Sequence, residues 1–143
     1  MTGRRPPPRV LGLDLGSRRI GVAVSSGTVA TPHAVLERGK DRATDHAAIA
    51  ALVDELSAER VVVGLPLSLD GRMGPAAAAA AEEAEALGDV LGVPVETYDE
   101  RLTTVTADRS LSSLGLPGQA RRRVVDKVAA AVMLQAWLDR SSS

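Results

Sequence analysis

The chain has 143 residues, of which 45% are hydrophobic and 24% charged, and this balance predicts one globular domain. The absence of cysteine excludes disulfides, thiolate metal sites and a cysteine nucleophile. The net charge of -1 gives no general attraction to nucleic acid, so a basic site would have to be a local patch.

No targeting or membrane segment is evident in the sequence. No apolar run reaches the roughly 18 residues of a membrane span. Arg4 and Arg5 are followed by three prolines rather than by the apolar stretch of a signal peptide. We therefore expect a cytoplasmic protein without a membrane partner, with a disordered N-terminal segment over residues 1–8 and a single domain over residues 9–140.

The first part of the chain predicts a three-stranded meander. Arg9 to Leu15 is a buried strand, and the β-branched run from Arg19 to Ser25 follows it after a short turn, which is the spacing of a hairpin. Pro32 weakens the next run, so a strand is expected there only from about His33 to Glu37, at the edge of the sheet.

The rest of the chain predicts alternating helices and strands. Helices are predicted over residues 45–58, 75–91, 103–114 and 120–138, and strands over residues 60–65 and 93–98. The expected core positions of the last helix are Val125, Val128, Ala129, Val132 and Ala136. This element order indicates an α/β layered domain with a mixed sheet.

Three acidic residues occupy apolar surroundings in separate elements. Asp14 lies near the end of the first strand, Glu100 just past the strand that ends at Tyr98, and Asp126 in an otherwise apolar helix. Ligands of open α/β sheets gather beyond the carboxyl ends of strands. Oxygen-only ligands suit Mg²⁺ or Mn²⁺. Two such ions about 4 Å apart could activate water for phosphodiester hydrolysis.

Each acid could instead form a structural ion pair. An ionised carboxylate at an apolar boundary costs on the order of several kcal/mol unless a cation meets it. The candidate partners are Arg18 or Arg19 for Asp14, Arg101 for Glu100, and Arg122 or Lys127 for Asp126. The spacing alone leaves both interpretations open.

The sequence also contains a cluster of basic residues. Arg121, Arg122 and Arg123 fall in the first turns of the last helix, where the helix dipole disfavours cations. An external anion explains them, and so does a solvated basic face. If the partner is nucleic acid, the near absence of aromatic residues favours contacts to the backbone over base stacking.

Four ordered motifs carry a resemblance to a known family. They are LGLDLGSRRIGVAVS around Asp14, VVGLPLSLDG around Gly64, YDERLTT around Glu100 and VVDKVAA around Asp126. Together they resemble the YqgF (RuvX) family, described as Holliday junction resolvases and pre-16S rRNA nucleases, over roughly residues 10–139. Two departures stand beside the match: Ser25-Ser26 replaces the usual Ser-Asp, and Arg18 replaces a frequent lysine.

The resemblance implies an RNase H-like fold, with a five-stranded mixed sheet of three antiparallel and then two parallel strands flanked by helices. It also implies that Asp14, Glu100 and Asp126 are the acidic active-site residues, which would hold Mg²⁺ or Mn²⁺. The function it implies is metal-dependent cleavage of structured nucleic acid, namely processing of the 5′ end of pre-16S rRNA or resolution of branched DNA. Resolution of branched DNA would need a homodimer.

The sequence also suggests residues that would contact phosphate and two alternative functions. The candidates for phosphate contacts are Arg18, Arg19, Arg101, Arg121, Arg122 and Arg123. One rival is a catalytically silent nucleic-acid-binding module, which would show salt-dependent binding without metal-dependent cleavage. Another is an actin-like phosphotransferase, because that fold also opens with an Asp-x-Gly strand, but the chain is too short for the second domain that would close over ATP.

Overall fold

The computed structural model describes residues 8–67, 70–100 and 118–140, and for residues 118–124 it describes the backbone alone. The strands in these ranges are β1 (Arg9–Leu15), β2 (Arg19–Ser26), β3 (Val29–Glu37), β4 (Ala58–Leu65) and β5 (Val95–Asp99). The helices are α1 (Arg42–Leu56), α2 (Pro75–Val90) and α3 (Gly118–Asp139). The helix expected over residues 103–114 lies outside the described residues, as does the expected disordered segment except for residue 8.

The strands form one sheet in the order β3-β2-β1-β4-β5. β2 pairs antiparallel with both β1 and β3. β4 pairs parallel with both β1 and β5. The expected mixed sheet of three antiparallel and two parallel strands is therefore confirmed, with β1 at its centre.

Each face of the sheet has its own apolar layer. Leu11 and Leu13 of β1 point to the cluster that α1 and α2 cover. Val10 points to the opposite cluster, which is formed with Leu134 and Trp137 of α3. Because side chains alternate along a strand, Asp14 lies on the same face as Val10, under α3.

Helix α1 begins and ends earlier than the sequence pattern predicted. Asp41 caps it, since its side chain accepts a 2.8 Å hydrogen bond from the backbone N–H of Thr44. Ser57 ends it in a left-handed conformation with φ 54. Ala58, expected in the helix, is already the first residue of β4. The capping residue, rather than the apolar period, sets the start.

Strand β3 is longer than predicted, since it begins at Val29 rather than near His33. Pro32 is paired with Ala23, next to a shift in register between Val22 and Ala23. β3 is an edge strand, where a missing N–H can face away from the ladder. The edge position was predicted correctly, but the disruptive effect of Pro32 was overestimated.

The buried face of α3 also differs from the prediction. The expected core positions are only half-buried, whereas the buried ones are Ala130, Ala131, Met133, Leu134 and Trp137. Close packing explains the difference, because a Cβ on Gly12 of β1 would lie 2.9 Å from the Cβ of Leu134. In the part of the chain that the structure describes, no helix combines the length and apolar character needed to cross a membrane.

Candidate active site

Asp14 lies between two glycines of the neighbouring strands. It pairs directly with Gly21 of β2. On its other side, Leu13 pairs with Val63 of β4, so Gly64 lies next to Asp14. The central acid is thus flanked by strand positions that carry no side chain.

Both glycines give space to the other two acids. A Cβ on Gly21 would overlap the backbone carbonyl oxygen of Asp126 in α3. A Cβ on Gly64 would lie 2.5 Å from Oε1 of Glu100, which follows directly after β5. The sheet therefore brings Asp14, Glu100 and Asp126 together, which is the arrangement that the family resemblance implied and that their spacing alone left open.

The carboxyl groups of Asp14 and Glu100 are hydrogen-bonded to each other. Burial raises the pKa of Asp14 from 3.8 to about 6, and the negative charge of Asp126 adds to this effect, whereas the hydrogen bond with Glu100 opposes it. Burial likewise raises the pKa of Glu100 from 4.5 to about 7, with further contributions from Asp14 and from the charge of Asp99. Near neutral pH, the two groups therefore hold protons far more readily than ordinary carboxylates.

Asp126 has a cationic partner. Its Oδ2 accepts a 2.7 Å hydrogen bond from Nε of Arg19, at the start of β2, and both side chains are largely shielded from solvent. Arg19 was one of the partners considered for Asp14, but its ion pair is with Asp126. Within the described ranges, no three His, Asp or Glu side chains are already arranged to hold a metal ion.

The donor set nevertheless fits a hard divalent cation. The three acids offer only oxygen atoms, which Mg²⁺ and Mn²⁺ prefer. Burial and mutual repulsion make the ionised forms of Asp14 and Glu100 unfavourable, and an added positive charge would relieve this. Asp126 would have to share its carboxylate with Arg19 or release it. The chemistry of the donor set fits a metal, and the carboxylates would have to rearrange to hold it.

The predicted basic residues are only partly described. Arg18 is exposed on the turn between β1 and β2, at the same end of the sheet as the acids. The backbone of residues 121–123 lies in α3, but their side chains fall outside the described atoms, as does residue 101 entirely. The phosphate contacts therefore stay predictions.

Sequence reasoning did not identify a role for Gly21, Gly64 or Arg38. The two glycines stand in otherwise β-branched, buried runs, where an isolated glycine indicates a close approach of another element. Arg38 forms a buried ion pair with Glu83 next to the β1–β2 turn. Glu83 lies on a helix face shared with Ala80, Ala84 and Leu87, and a carboxylate on such a face signals a buried partner.

Known proteins resemble this chain over most of its length. The family model described as "RuvX: Holliday junction resolvase" matches residues 8–140. This chain belongs to the RuvX family. A Myxococcus xanthus relative named "Putative pre-16S rRNA nuclease" is 46% identical over 132 residues, covering 92% of this chain and 87% of its own. A relative of the same name from Anaeromyxobacter dehalogenans is 47% identical, with 92% and 97% covered.

Solved structures place this RuvX-family chain in the RNase H-like fold. RuvC from Thermus thermophilus, solved in complex with a Holliday junction substrate, has a TM-score of 0.56 at 17% identity, covering 94% of this chain and 97% of RuvC. A second structure of that RuvC gives a TM-score of 0.51 at 16% identity, covering 90% and 94%. At such low identity the likeness concerns the fold alone, and it confirms the fold predicted from the sequence.

Proposed function

We propose that this protein is a divalent-metal-dependent nuclease that trims the 5′ end of pre-16S rRNA. Membership of the RuvX family makes it a nuclease that acts on nucleic acid. The observation that carries the metal dependence is the convergence of Asp14, Glu100 and Asp126 at one end of the sheet. The rRNA substrate is supported by the names of relatives that are 46% and 47% identical over 92% of the chain.

Within this proposal, Asp14, Glu100 and Asp126 hold Mg²⁺ or Mn²⁺. When bound, the metal supplies charge stabilisation for phosphodiester hydrolysis and lowers the pKa of water. Asp14 is held by the central strand β1, Glu100 by the end of β5 and Asp126 by α3. Because these elements lie on different sides of the site, the three groups can contact the scissile phosphate from different sides. Their partial burial weakens the screening of their charges by bulk water.

The substrate would be held through its backbone. Arg18 is exposed on the turn that follows the strand of Asp14, and arginine recognises phosphate through paired N–H donors. Arg19, Arg101 and Arg121 to Arg123 complete the proposed contacts. We further propose that residues 9–140 act as one nuclease domain in the cytoplasm, where rRNA precursors are processed.

A second candidate is resolution of branched DNA. The description of the family model as a Holliday junction resolvase favours it. Symmetric cleavage of two strands requires two active sites and therefore a dimer. Size-exclusion chromatography with light scattering distinguishes the candidates, because a monomer that cleaves the rRNA precursor does not meet the requirement of a resolvase.

The decisive experiment is a cleavage assay with excess Mn²⁺ or Mg²⁺ on two substrates, a pre-16S rRNA fragment with its 5′ leader and a four-way DNA junction. We expect cleavage of the RNA at least about 10-fold faster than of the junction, and none after chelation of the metal. Faster cleavage of the junction would favour resolution instead. Salt-dependent binding with no cleavage of either substrate would make the protein a silent binding module.

Metal binding should weaken as the pH falls through the titration range of the acid pair. The pKa values of Asp14 and Glu100 are raised to about 6 and about 7, so protons occupy the proposed ligands below that range and compete with the metal. We expect Mn²⁺ to raise the melting temperature by several degrees at pH 8 and by far less at pH 5.5. An equal shift at both pH values would contradict binding by this pair.

A further inference from the structure

A buried cluster of charged side chains lies beside the turn between β1 and β2. Arg38, which follows β3, makes a bidentate pair with Glu83 of α2, with Nη1–Oε2 and Nη2–Oε1 distances of 2.7 and 2.9 Å. Nη1 also donates to Asp45 of α1 at 3.3 Å. Nε2 of His46, also in α1, is hydrogen-bonded to Oε2 of Glu83 at 2.9 Å. The side chains of Glu83, Asp45 and His46 are at most 6% exposed.

The same arginine holds the turn that links Asp14 to Arg19. Its Nε donates to the carbonyl oxygen of Gly16 at 3.0 Å, and its backbone N–H donates to the carbonyl oxygen of Arg18 at 2.9 Å. The turn is closed within itself by a 2.9 Å hydrogen bond from Gly16 N–H to the carbonyl of Arg19. Arg38 thus bonds to both ends of a short segment that joins two site residues.

Packing alone does not fix this turn. A cavity of about 140 Å³ lies against it, between the turn and the start of α2. The residues that line it are Leu15, Gly16, Ser17, Arg38, Ala76, Ala79, Ala80 and Glu83. The alanines of α2 are too short to fill this space, so hydrogen bonds from the guanidinium take the place of side-chain packing on that side.

We propose that Arg38, clamped by Glu83, is a positioning residue that fixes the β1–β2 turn and thereby aims Arg19 at Asp126. This inference rests on the proposed function. A buried ion cluster is weak support for stability, since apolar replacements are often as stable. The cluster instead fixes the position of the turn relative to α2, because the planar guanidinium of Arg38 bonds to Glu83 and to Gly16 in fixed directions. Direct partners of metal ligands, as Arg19 would be for Asp126, affect activity by roughly 10- to 100-fold, and Arg38 acts through that partner.

The test compares Arg38→Lys with Val53→Ala. Lysine keeps the positive charge near Glu83 but cannot bond to both the carboxylate and Gly16. Val53 is buried in the same helix as Asp45, about two turns further on, and its truncation destabilises the core without touching the cluster. Both variants are measured at a temperature where circular dichroism shows them fully folded. If Arg38→Lys does not fold, Glu83→Gln takes its place.

Two readouts are expected to separate positioning from general stability. In Arg38→Lys, kcat should fall about 10- to 100-fold with KM changed by less than about threefold, whereas Val53→Ala keeps both near the wild-type values. The second readout does not depend on cleavage. The NMR signal of Arg19 Hε is identified as the arginine Hε signal that is missing in Arg19→Lys. This signal should lose its protection from hydrogen exchange in Arg38→Lys and keep it in Val53→Ala.

The outcomes that overturn the proposal are specific. Equal kcat values in the two variants, or an Arg19 Hε signal equally protected in both, would show that Arg38 acts only on stability. If the wild-type protein cleaves neither substrate, the proposed function fails, and the NMR comparison still decides whether Arg38 positions Arg19.

Discussion

Asp14→Asn is expected to abolish cleavage and, without metal, to make the protein more stable at pH 8. The loss of a charged ligand from a site that stabilises transition-state charge should reduce kcat at least about 100- to 1,000-fold. The gain in stability has a separate cause. The amide side chain would keep the size of the carboxylate and at pH 8 could donate a hydrogen bond to the ionised Glu100, but it would not place a buried negative charge beside Glu100 and Asp126.

The pH dependence of this gain follows from linkage. Because the folded-state pKa of Asp14 is raised from 3.8 to about 6, its contribution to stability is fully present below pH 3.8 and is lost as the pH rises through 6. At pH 8 the wild-type protein therefore carries an unfavourable free energy of about 3 kcal/mol that Asp14→Asn removes. The difference in melting temperature should be several degrees at pH 8 and should vanish near pH 4.

Thermal denaturation at the two pH values, together with the cleavage assay, checks this prediction. Asp89→Asn is the matched control, since Asp89 is exposed near the end of α2. The same chemical change there should not alter activity, and because it removes a negative charge from a helix C-terminus it should raise stability by at most about 1 kcal/mol at either pH. A loss of stability in Asp14→Asn at pH 8 would mean that Asp14 has a structural partner. Added Mn²⁺ should reverse the order, stabilising the wild-type protein but not the variant.

Local patterns indicated where each acid would lie but left a structural ion pair open for each of them, and the family resemblance implied that they share a site. Asp14 and Glu100 each stand at the carboxyl end of an apolar run, and the parallel pairing of β1, β4 and β5 brings such ends to one edge of the sheet. Asp126 interrupts an apolar helix, and the motifs around all three acids carry the family resemblance. The fold followed from the alternation of helices and strands together with that resemblance.

The details that escaped prediction depend on contacts between distant segments. The pairing of Arg19 with Asp126 joins residues 107 positions apart, and no local pattern distinguishes Arg19 from Arg18. The face of α3 that is buried depends on the close approach at Gly12, which an apolar period cannot reveal. The cluster around Arg38 likewise combines residues from three segments, namely α1, α2 and the segment that follows β3.

Gly64→Ala should leave the fold intact and strongly impair cleavage. A Cβ at this position would lie 2.5 Å from Oε1, 2.8 Å from Cγ and 2.9 Å from Cδ of Glu100. These atoms belong to a side chain that can rotate away, so we expect the melting temperature to change by only a few degrees. Rotation would remove Glu100 from Asp14, and we expect kcat to fall about 100-fold together with the stabilisation by Mn²⁺.

Two further alanine substitutions make this result interpretable. Gly88→Ala is the matched control, since nothing lies within 4 Å of a Cβ there and alanine is favoured inside a helix. Gly21→Ala is the contrast, because its Cβ would meet the backbone of Asp126, which cannot rotate away, and overpacking of that kind costs about 1–3 kcal/mol or more. Full activity in Gly64→Ala would mean that Glu100 works from a different position, and the proposed ligand set would then lose one of its three members.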